Sequence, residues 1–221
     1  MCGRFVTAIP YEELKQIFDL IESSTRNESR YNVAPTQQVA VVRSSGEHNE
    51  LTTMKWGLIP SWAKETSSAS HMINARCETV AEKPAFRHAI KHNRCIVPIS
   101  GFYEWSHSDG KKTPHYIYLT DRSPMSLAGI WEHWKSRDGQ EIETFSILTT
   151  VANSLISPLH NRMPVILQQT DYDLWLRKGM HDPHELTSLY QPYPAEKMDL
   201  YEVSNLVNNS RFDSPSCIAR V

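Results

Sequence analysis

The second residue of the chain is a cysteine, in the N-terminal sequence Met-Cys-Gly-Arg. If Met1 is removed, Cys2 carries a free α-amine and a thiol two carbons apart. Their reference pKa values are about 7.7–8.0 and about 8.5, so both groups have reactive fractions near neutral pH. Such a pair can attack one aldehyde twice, through nitrogen to give a Schiff base and then through sulfur to close a thiazolidine. It can instead act as an N-terminal nucleophile on an acyl group. Taken alone, Cys2 also fits an ordinary chain start.

Three other side chains are of the types that this aldehyde chemistry requires. Asn74 lies in the sequence Ile-Asn-Ala-Arg, Glu104 lies between Tyr103 and Trp105, and His160 opens His-Asn-Arg-Met-Pro. Schiff-base formation needs an acid to expel water from the carbinolamine, and a carboxyl in dry aromatic surroundings can stay protonated near neutral pH. Imidazole is a natural second proton carrier, and an amide positions an amine without adding charge. Strand alternation, however, directs Tyr103 and Trp105 to the face opposite Glu104.

Each of these residues also has a purely structural interpretation. A glutamate between aromatic residues on a strand, such as Glu104, is usually a solvent-facing residue. A histidine before Asn-Arg, such as His160, is usually a turn or capping residue. Asn74 and Arg76 can simply tie down a loop. The choice between these interpretations therefore depends on the rest of the chain.

Several motifs occur in a fixed order along the sequence, and together they resemble those of a known family. They are residues 31–37 (Tyr-Asn-Val-Ala-Pro-Thr-Gln), 56–62 (Trp-Gly-Leu-Ile-Pro-Ser-Trp), 73–79, 102–105 and 160–164, followed by Val203-Ser204 and Val207-Asn208-Asn209. From residue 1 to about residue 218 the chain resembles the SOS-response-associated peptidase family, the abasic-site processing proteins.

The resemblance implies both an activity and roles for particular residues. In this family the N-terminal cysteine links covalently to the aldehyde of an abasic site in single-stranded DNA and shields it from strand cleavage. Cys2 is then the crosslinking residue, Asn74 orients the reacting end, and Glu104 and His160 are catalytic. The same Glu104 and His160 are candidates for self-removal of Met1. The resemblance also implies an abasic-site lyase activity.

DNA contacts are implied by the resemblance for a further set of residues. Arg4, Arg76 and Arg162 become phosphate ligands, and phosphate contacts position a strand without reading its sequence. Trp62 and Pro35 match positions where the family packs bases or wedges them apart, and aromatic stacking is worth about 1–3 kcal/mol per base. Trp62 fits a core position equally well.

Local patterns predict one α+β domain over residues 1–221, with a mainly antiparallel β core and peripheral helices. The expected helices are residues 11–21, 78–92, 171–177 and 183–190. The expected strands are residues 39–43, 51–56, 94–98, 101–105, 115–119, 126–134, 141–150, 165–167 and 199–203. The two Asp-Gly pairs, at 109–110 and 138–139, predict hairpins.

Composition limits the partners. The 221 residues carry a formal net charge of −2, whereas a protein that holds nucleic acid by bulk charge would be basic. The four cysteines form no CxxC pair and no HExxH motif occurs, so we expect neither metal nor cofactor. No long apolar run or signal sequence is present, which predicts a cytoplasmic protein without membrane contact. We expect a monomer.

Two rival functions share the cysteine. Glutamine amidotransferases with an N-terminal nucleophile also begin Met-Cys-Gly, but their Arg-Gly, Asn-Gly and Gly-Asp pairs do not occur in this chain. A damage reader would recognise the lesion in the same pocket without bonding to it. The first predicts ammonia release from glutamine, and the second predicts that a Cys2→Ala variant keeps full retention on abasic DNA.

Overall fold

The structure, a computed structural model, describes residues 2–22, 25, 27–66, 69–108, 110–179 and 182–221. Its strands are β1 Phe5–Val6, β2 Gln38–Ser44, β3 Asn49–Trp56, β4 Asn74–Arg76, β5 Arg94–Ile99, β6 Gly101–Ser108, β7 Lys111–Leu119, β8 Met125–Lys135, β9 Glu141–Val151, β10 Arg162–Pro164, β11 Ile166–Leu167 and β12 Met198–Glu202. Its α-helices are α1 Tyr11–Phe18, α2 Ala89–His92 and α3 Tyr172–Leu176. Short 3-10 helices occur both before and after α3, and the longest among the described residues is Pro183–Tyr190.

The strands form two sheets. In the larger sheet β9 pairs with β3, β3 with β2, β2 with β5, β5 with β8, and β8 again with β9, so these five strands pair in a closed ring. The smaller sheet has the order β1-β6-β7-β12. Pairing is antiparallel except where β3 and β4 run parallel to β9. The α+β class with a mainly antiparallel core is therefore confirmed.

The ring separates two hydrophobic clusters. In β2, Val39 and Val41 belong to one cluster and Val42 belongs to the other, as the alternation of side chains along a strand requires. The first cluster receives residues from all five ring strands and from the smaller sheet. The second lies under the helices, where Leu14 of α1 and Trp175 of α3 are fully buried. The helices are thus peripheral, as predicted.

The two Asp-Gly hairpins are present but differ in length. Ser108 pairs with Lys111 across a two-residue turn in which Gly110 has φ of 73°; Asp109 lies outside the described residues. The second hairpin joins Lys135 to Glu141 through a longer loop, with Gly139 at φ of 89°. Both glycines occupy the left-handed region that these turns require.

Two of the helix predictions need correction. The first helix ends at Phe18 rather than at residue 21, because Asp19 adopts a left-handed conformation with φ of 49°. Of residues 78–92, only Ala89–His92 is α-helix, and the rest forms consecutive turns. Pro84 accounts for the break, since proline lacks the N–H and disfavours helical backbone at the preceding residue. None of the helices in the described ranges is long and apolar enough to cross a membrane.

Candidate active site

Cys2 lies just before β1 and is completely buried. Strand β1 is held on both sides, because Phe5 pairs with Phe102 of β6 and also exchanges backbone hydrogen bonds with Val33. Cys2 belongs to the cluster inside the ring, together with Phe5 and Trp56, whose rings lie 4.6 Å apart. The N-terminal segment is therefore fixed in position by strand pairing in the smaller sheet and by packing against Trp56.

Burial governs the protonation of the Cys2 thiol. Loss of hydration raises the pKa of the Cys2 thiol well above its usual range, and the negative charge of Glu104 raises it further. A deprotonated sulfur is disfavoured in this setting because both effects penalise the anion. The resting form near neutral pH is the protonated thiol.

Glu104 lies on β6, on the face that it shares with Phe102 and Cys2. Only 5% of Glu104 is exposed, which excludes the solvent-facing interpretation of this residue. Tyr103 and Trp105 lie on the other face, where the Tyr103 hydroxyl donates to the Tyr31 carbonyl over 2.7 Å. The dry surroundings of Glu104 therefore do not come from its two aromatic neighbours in sequence, as the alternation of β6 requires.

Asn74 contacts the N-terminal segment directly. It begins β4, which runs parallel to β9 with Asn74 opposite Ile147. Its Nδ2 donates to the Cys2 carbonyl over 2.9 Å. Its Oδ1 is buried and has no hydrogen-bond partner among the described residues, so it is available to accept from an amine at this end of the chain. Asn74 therefore ties the central part of the chain to its beginning.

His160 precedes β10 and is half-buried. The backbone N–H of Arg162 donates to His160 Nδ1 over 2.9 Å. Nδ1 also lies 3.3 Å from the Arg162 carbonyl, to which it donates in the other tautomer. In the tautomer in which Nδ1 accepts from Arg162, the neutral imidazole carries its proton on Nε2, and Nε2 is then the ring atom that can donate. The hydrogen bond from Arg162 lies within the turn that His160 begins, so His160 also acts as a turn residue.

Two of the three predicted phosphate ligands lie on strands that flank the end of β9. Strand β4 flanks β9 with Arg76 opposite Thr149, and β10 flanks it with Arg162 opposite Val151. Arg76 is exposed, and its guanidinium has no hydrogen-bond or ion-pair partner within the described ranges. Arg162 instead donates to both oxygens of Glu78, over 2.6 and 2.8 Å, and to the Thr149 carbonyl over 2.6 Å. This hydrogen bonding holds the pKa of Glu78 below its usual range and raises that of Arg162.

Arg4, the third predicted phosphate ligand, is engaged within the protein. Its Nη1 donates to Asn32 Oδ1 over 2.8 Å and to the Val207 carbonyl over 2.7 Å. Asn32 is fully buried, and its Nδ2 donates to the carbonyls of Asn209 and Phe212 over 3.0 and 2.7 Å. In this arrangement Arg4 fastens the beginning of the chain to its C-terminal part.

Pro35 lies in the loop before β2, and Trp62 lies in the loop after β3. Pro35 is half-buried, and after it Thr36 has φ of 74°, which is strained for a β-branched residue. The Thr36 N–H donates to the Trp56 carbonyl over 2.8 Å and keeps the turn against β3. Trp62, on the loop that follows β3, is 66% exposed. The core interpretation of Trp62 is therefore excluded.

The loop that carries Trp62 is anchored at its start. Gly57 has φ of 124°, and a Cβ at this position would lie 2.4 Å from the Ala69 carbonyl oxygen. Only glycine fits this approach. At the other end of the loop, Trp56 Nε1 donates to the Ile73 carbonyl over 2.9 Å, one residue before Asn74. The loop therefore begins next to Trp56, which belongs to the same cluster as Cys2, and ends next to Asn74, which donates to the Cys2 carbonyl.

Two further residues that hold the site together lie within the ordered sequence motifs. Glu78 occurs two residues after Arg76 in the motif 73–79, and Asn32 follows Tyr31 in the motif 31–37. Their membership of ordered motifs was a usable signal, but their partners, Arg162 and Arg4, are distant in sequence. In the part of the chain that the structure describes, no group of three or more His, Cys, Asp or Glu side chains is arranged to hold a metal ion.

Comparisons with known proteins agree over the whole chain. The family model described as SOS response associated peptidase (SRAP) matches residues 1–210. The abasic site processing protein YoqW of Bacillus subtilis is 40% identical over 221 residues, with 99% of each chain covered. The abasic site processing protein HMCES of Xenopus tropicalis is 28% identical over 90% of this chain and 68% of its own length. A crystal structure of a protein from Bacteroides thetaiotaomicron is 31% identical and covers both chains fully, with a TM-score of 0.88.

The family match and the relatives at 40% identity extend through every motif that builds the site around Cys2. The chain therefore belongs to the SOS response associated peptidase (SRAP) family.

Proposed function

We propose that this protein processes abasic sites in single-stranded DNA by forming a covalent crosslink through Cys2. The observation that carries the proposal is the hydrogen bond from Asn74 Nδ2 to the Cys2 carbonyl, which holds Cys2 in a site where the charge of the buried Glu104 acts on its thiol. The relatives named as abasic site processing proteins agree with it. The chemistry requires a free Cys2 amine, so removal of Met1 is its first condition.

The bond-forming sequence conserves all atoms without an oxidant or reductant. The Cys2 amine adds to the aldehyde carbon of the ring-opened abasic sugar and gives a carbinolamine. An acid, for which Glu104 and His160 are the candidates, protonates the hydroxyl, and water leaves to give the Schiff base. The Cys2 sulfur then adds to the imine carbon, its proton passes to the imine nitrogen, and a thiazolidine closes.

The burial of Cys2 suits the second addition. A protonated thiol carries the proton that the imine nitrogen must receive, so sulfur addition needs no proton from solvent. We assign the relay of that proton to Glu104, whose charge acts on the same thiol. Because the thiolate is the nucleophilic form, the protonated thiol resists side reactions, and its addition to the imine requires a base that takes its proton.

DNA binding in this proposal uses a few local contacts. Arg76 is exposed at the end of β9, and Trp62 is exposed on the loop that leads from Trp56 towards Asn74. An arginine for phosphate and an aromatic ring for base stacking are sufficient for moderate binding of a single strand. The covalent bond then supplies permanence, which reconciles DNA binding with a net charge of −2. Pro35, Arg4 and Arg162 complete the set of proposed contact residues.

The proposal includes two further activities at the same site. We assign to Glu104 and His160 the hydrolysis that removes Met1. An abasic-site lyase activity would start from the same Schiff base, because an imine acidifies the neighbouring carbon. We expect a monomer that acts in the bacterial cytoplasm without a cofactor.

The decisive experiment mixes the protein with single-stranded DNA that carries one abasic site, followed by denaturing electrophoresis and intact mass measurement. We expect a DNA adduct that lacks Met1 and maps to Cys2, absent in Cys2→Ala. Cys95→Ala is the matched control, since Cys95 is equally buried in the same cluster and should leave the adduct unchanged. No adduct despite confirmed Met1 removal would refute the covalent function. Full retention by Cys2→Ala would then indicate a damage reader, and ammonia release from glutamine would indicate an amidotransferase.

A further inference from the structure

The side chain of Arg162 is occupied by a carboxylate in a geometry that a phosphate can also adopt. Glu78 accepts from Nη1 and Nη2 of Arg162 over 2.6 and 2.8 Å, one oxygen for each nitrogen. This two-pronged arrangement matches the way in which arginine binds both carboxylates and phosphates. A strand that used Arg162 as a phosphate ligand would therefore need the atoms that Glu78 now contacts.

The two partners of this ion pair differ in how firmly they are held. The Arg162 side chain is 12% exposed, and its Nη2 also donates to the Thr149 carbonyl inside the sheet. The Glu78 side chain is 48% exposed and lies on the turns that follow β4. The carboxylate is thus on the solvent side of a guanidinium that the sheet fixes from behind. Displacement would move Glu78 and leave Arg162 in place.

The surroundings of the pair favour a phosphate as the displacing group. Arg76 stands opposite Thr149 on the neighbouring strand, is exposed, and has no side-chain partner in the described part of the chain. Arg162 Nε is buried and likewise lacks an acceptor among the described residues. On the two sides of β9, the Arg76 guanidinium and Arg162 Nε therefore have no acceptor among the described residues. A DNA phosphodiester carries one negative charge on two non-bridging oxygens, so it can replace the Glu78 carboxylate at Nη1 and Nη2 of Arg162 and is also attracted by the exposed Arg76.

We propose that Glu78 is a displaceable internal competitor for a DNA phosphate at Arg162, and that it weakens the binding of strands that do not engage the whole site. This inference rests on the proposed function, because it requires that DNA approach the end of β9. Glu78 acts through Arg162 and is a positioning residue. Its effect is to raise the threshold for binding, since any strand must first replace a charge-assisted contact that already exists.

The test measures equilibrium binding to a single-stranded oligonucleotide that carries a tetrahydrofuran abasic analogue. This analogue has no aldehyde, so binding is measured without crosslinking. We expect Glu78→Gln, which keeps the side-chain shape, to bind about two- to fivefold more tightly than the unmodified protein, the range expected for loss of a partly exposed ion pair.

A matched control and a double variant separate competition from simple charge. Glu82→Gln removes the same charge from an exposed residue of the same turn segment, and we expect no comparable gain. In an Arg162→Ala background, Glu78→Gln should add nothing. Equal gains for Glu78→Gln and Glu82→Gln, a gain that persists without Arg162, or weaker binding by Glu78→Gln would each overturn the inference.

The outcome can be distinguished from failure of the proposed function. Crosslinking to a true abasic site is measured separately on the same variants. If the unmodified protein forms no adduct, the proposed function fails, whereas the binding comparison on the analogue still decides the role of Glu78. Thermal unfolding of each variant establishes that the measured proteins are folded.

Discussion

Replacement of Asn74 by alanine tests whether a single hydrogen bond positions the reacting end. The bond from Asn74 Nδ2 to the Cys2 carbonyl is 2.9 Å long and partly buried. Such a bond contributes about 0.5–1.5 kcal/mol net to stability. If this energy serves to hold Cys2 in its reactive position, its loss corresponds to a crosslinking rate that is about 2- to 12-fold lower. The free energy of unfolding should fall by about 1 kcal/mol.

A matched control exists on the opposite side of the larger sheet. Asn49 Nδ2 donates to the Phe18 carbonyl over the same 2.9 Å and is also partly buried. Asn49→Ala therefore removes the same kind of bond and should cost about as much stability, without changing the crosslinking rate. The comparison separates an effect on the site from an effect on the fold.

The assay is single-turnover crosslinking of Met1-free protein to excess abasic DNA, with unfolding by urea measured in parallel. Equal crosslinking rates for Asn74→Ala and Asn49→Ala would refute the positioning role of Asn74. A rate loss confined to Asn74→Ala, at equal stability loss, would support it. A rate loss much above 12-fold would show that Asn74 Oδ1 also takes part, since the Nδ2 bond alone does not account for it.

Two further predictions concern the exposed ring and the ion pair. Trp62→Ala should weaken binding of single-stranded DNA by about 5- to 150-fold, the equivalent of about 1–3 kcal/mol for one stacked base, and should leave unfolding unchanged because the ring is exposed. Val221→Ala, at another exposed apolar residue, should alter neither DNA binding nor unfolding. Equal effects of the two variants in a binding titration would contradict the stacking role. The second concerns pH: hydrogen bonding to Arg162 lowers the pKa of Glu78, so its stabilising contribution is fully present above the ordinary value of 4.5 and is lost as pH falls through the folded-state pKa. Solvent screening of this half-exposed group limits the contribution to at most about 1 kcal/mol, and the difference in melting temperature between the unmodified protein and Glu78→Gln should therefore shrink on acidification; a difference that is constant with pH would contradict the linkage.

Local sequence predicted the parts of the fold that depend on neighbouring residues. Strands β2 and β3, with the polar turn between them, follow from the alternation of apolar residues, and the two Asp-Gly pairs do form hairpins. The helix expected for residues 78–92 was wrong over most of its length. Pro84 lies within this range, and proline disfavours the interior of a continuous helix. The closed ring was not predicted. It depends on β9 pairing with β3 and on β5 pairing with β2 and β8, and such long-range pairings are specified by shared burial rather than by any local pattern.

The candidate site divides in the same way. The sequence by itself determined the chemical types, a cysteine at position 2 with an amide, a carboxyl and an imidazole in ordered motifs, because residue identity limits which reactions are possible. Only the tertiary structure decided that Asn74 holds the Cys2 carbonyl, that the Cys2 thiol is buried and protonated, and that Trp62 is exposed. It also decided that Glu78 pairs with Arg162, 84 residues away. Every charged residue can pair with many others, so the choice of partner arises only when the strands around β9 bring two of them together.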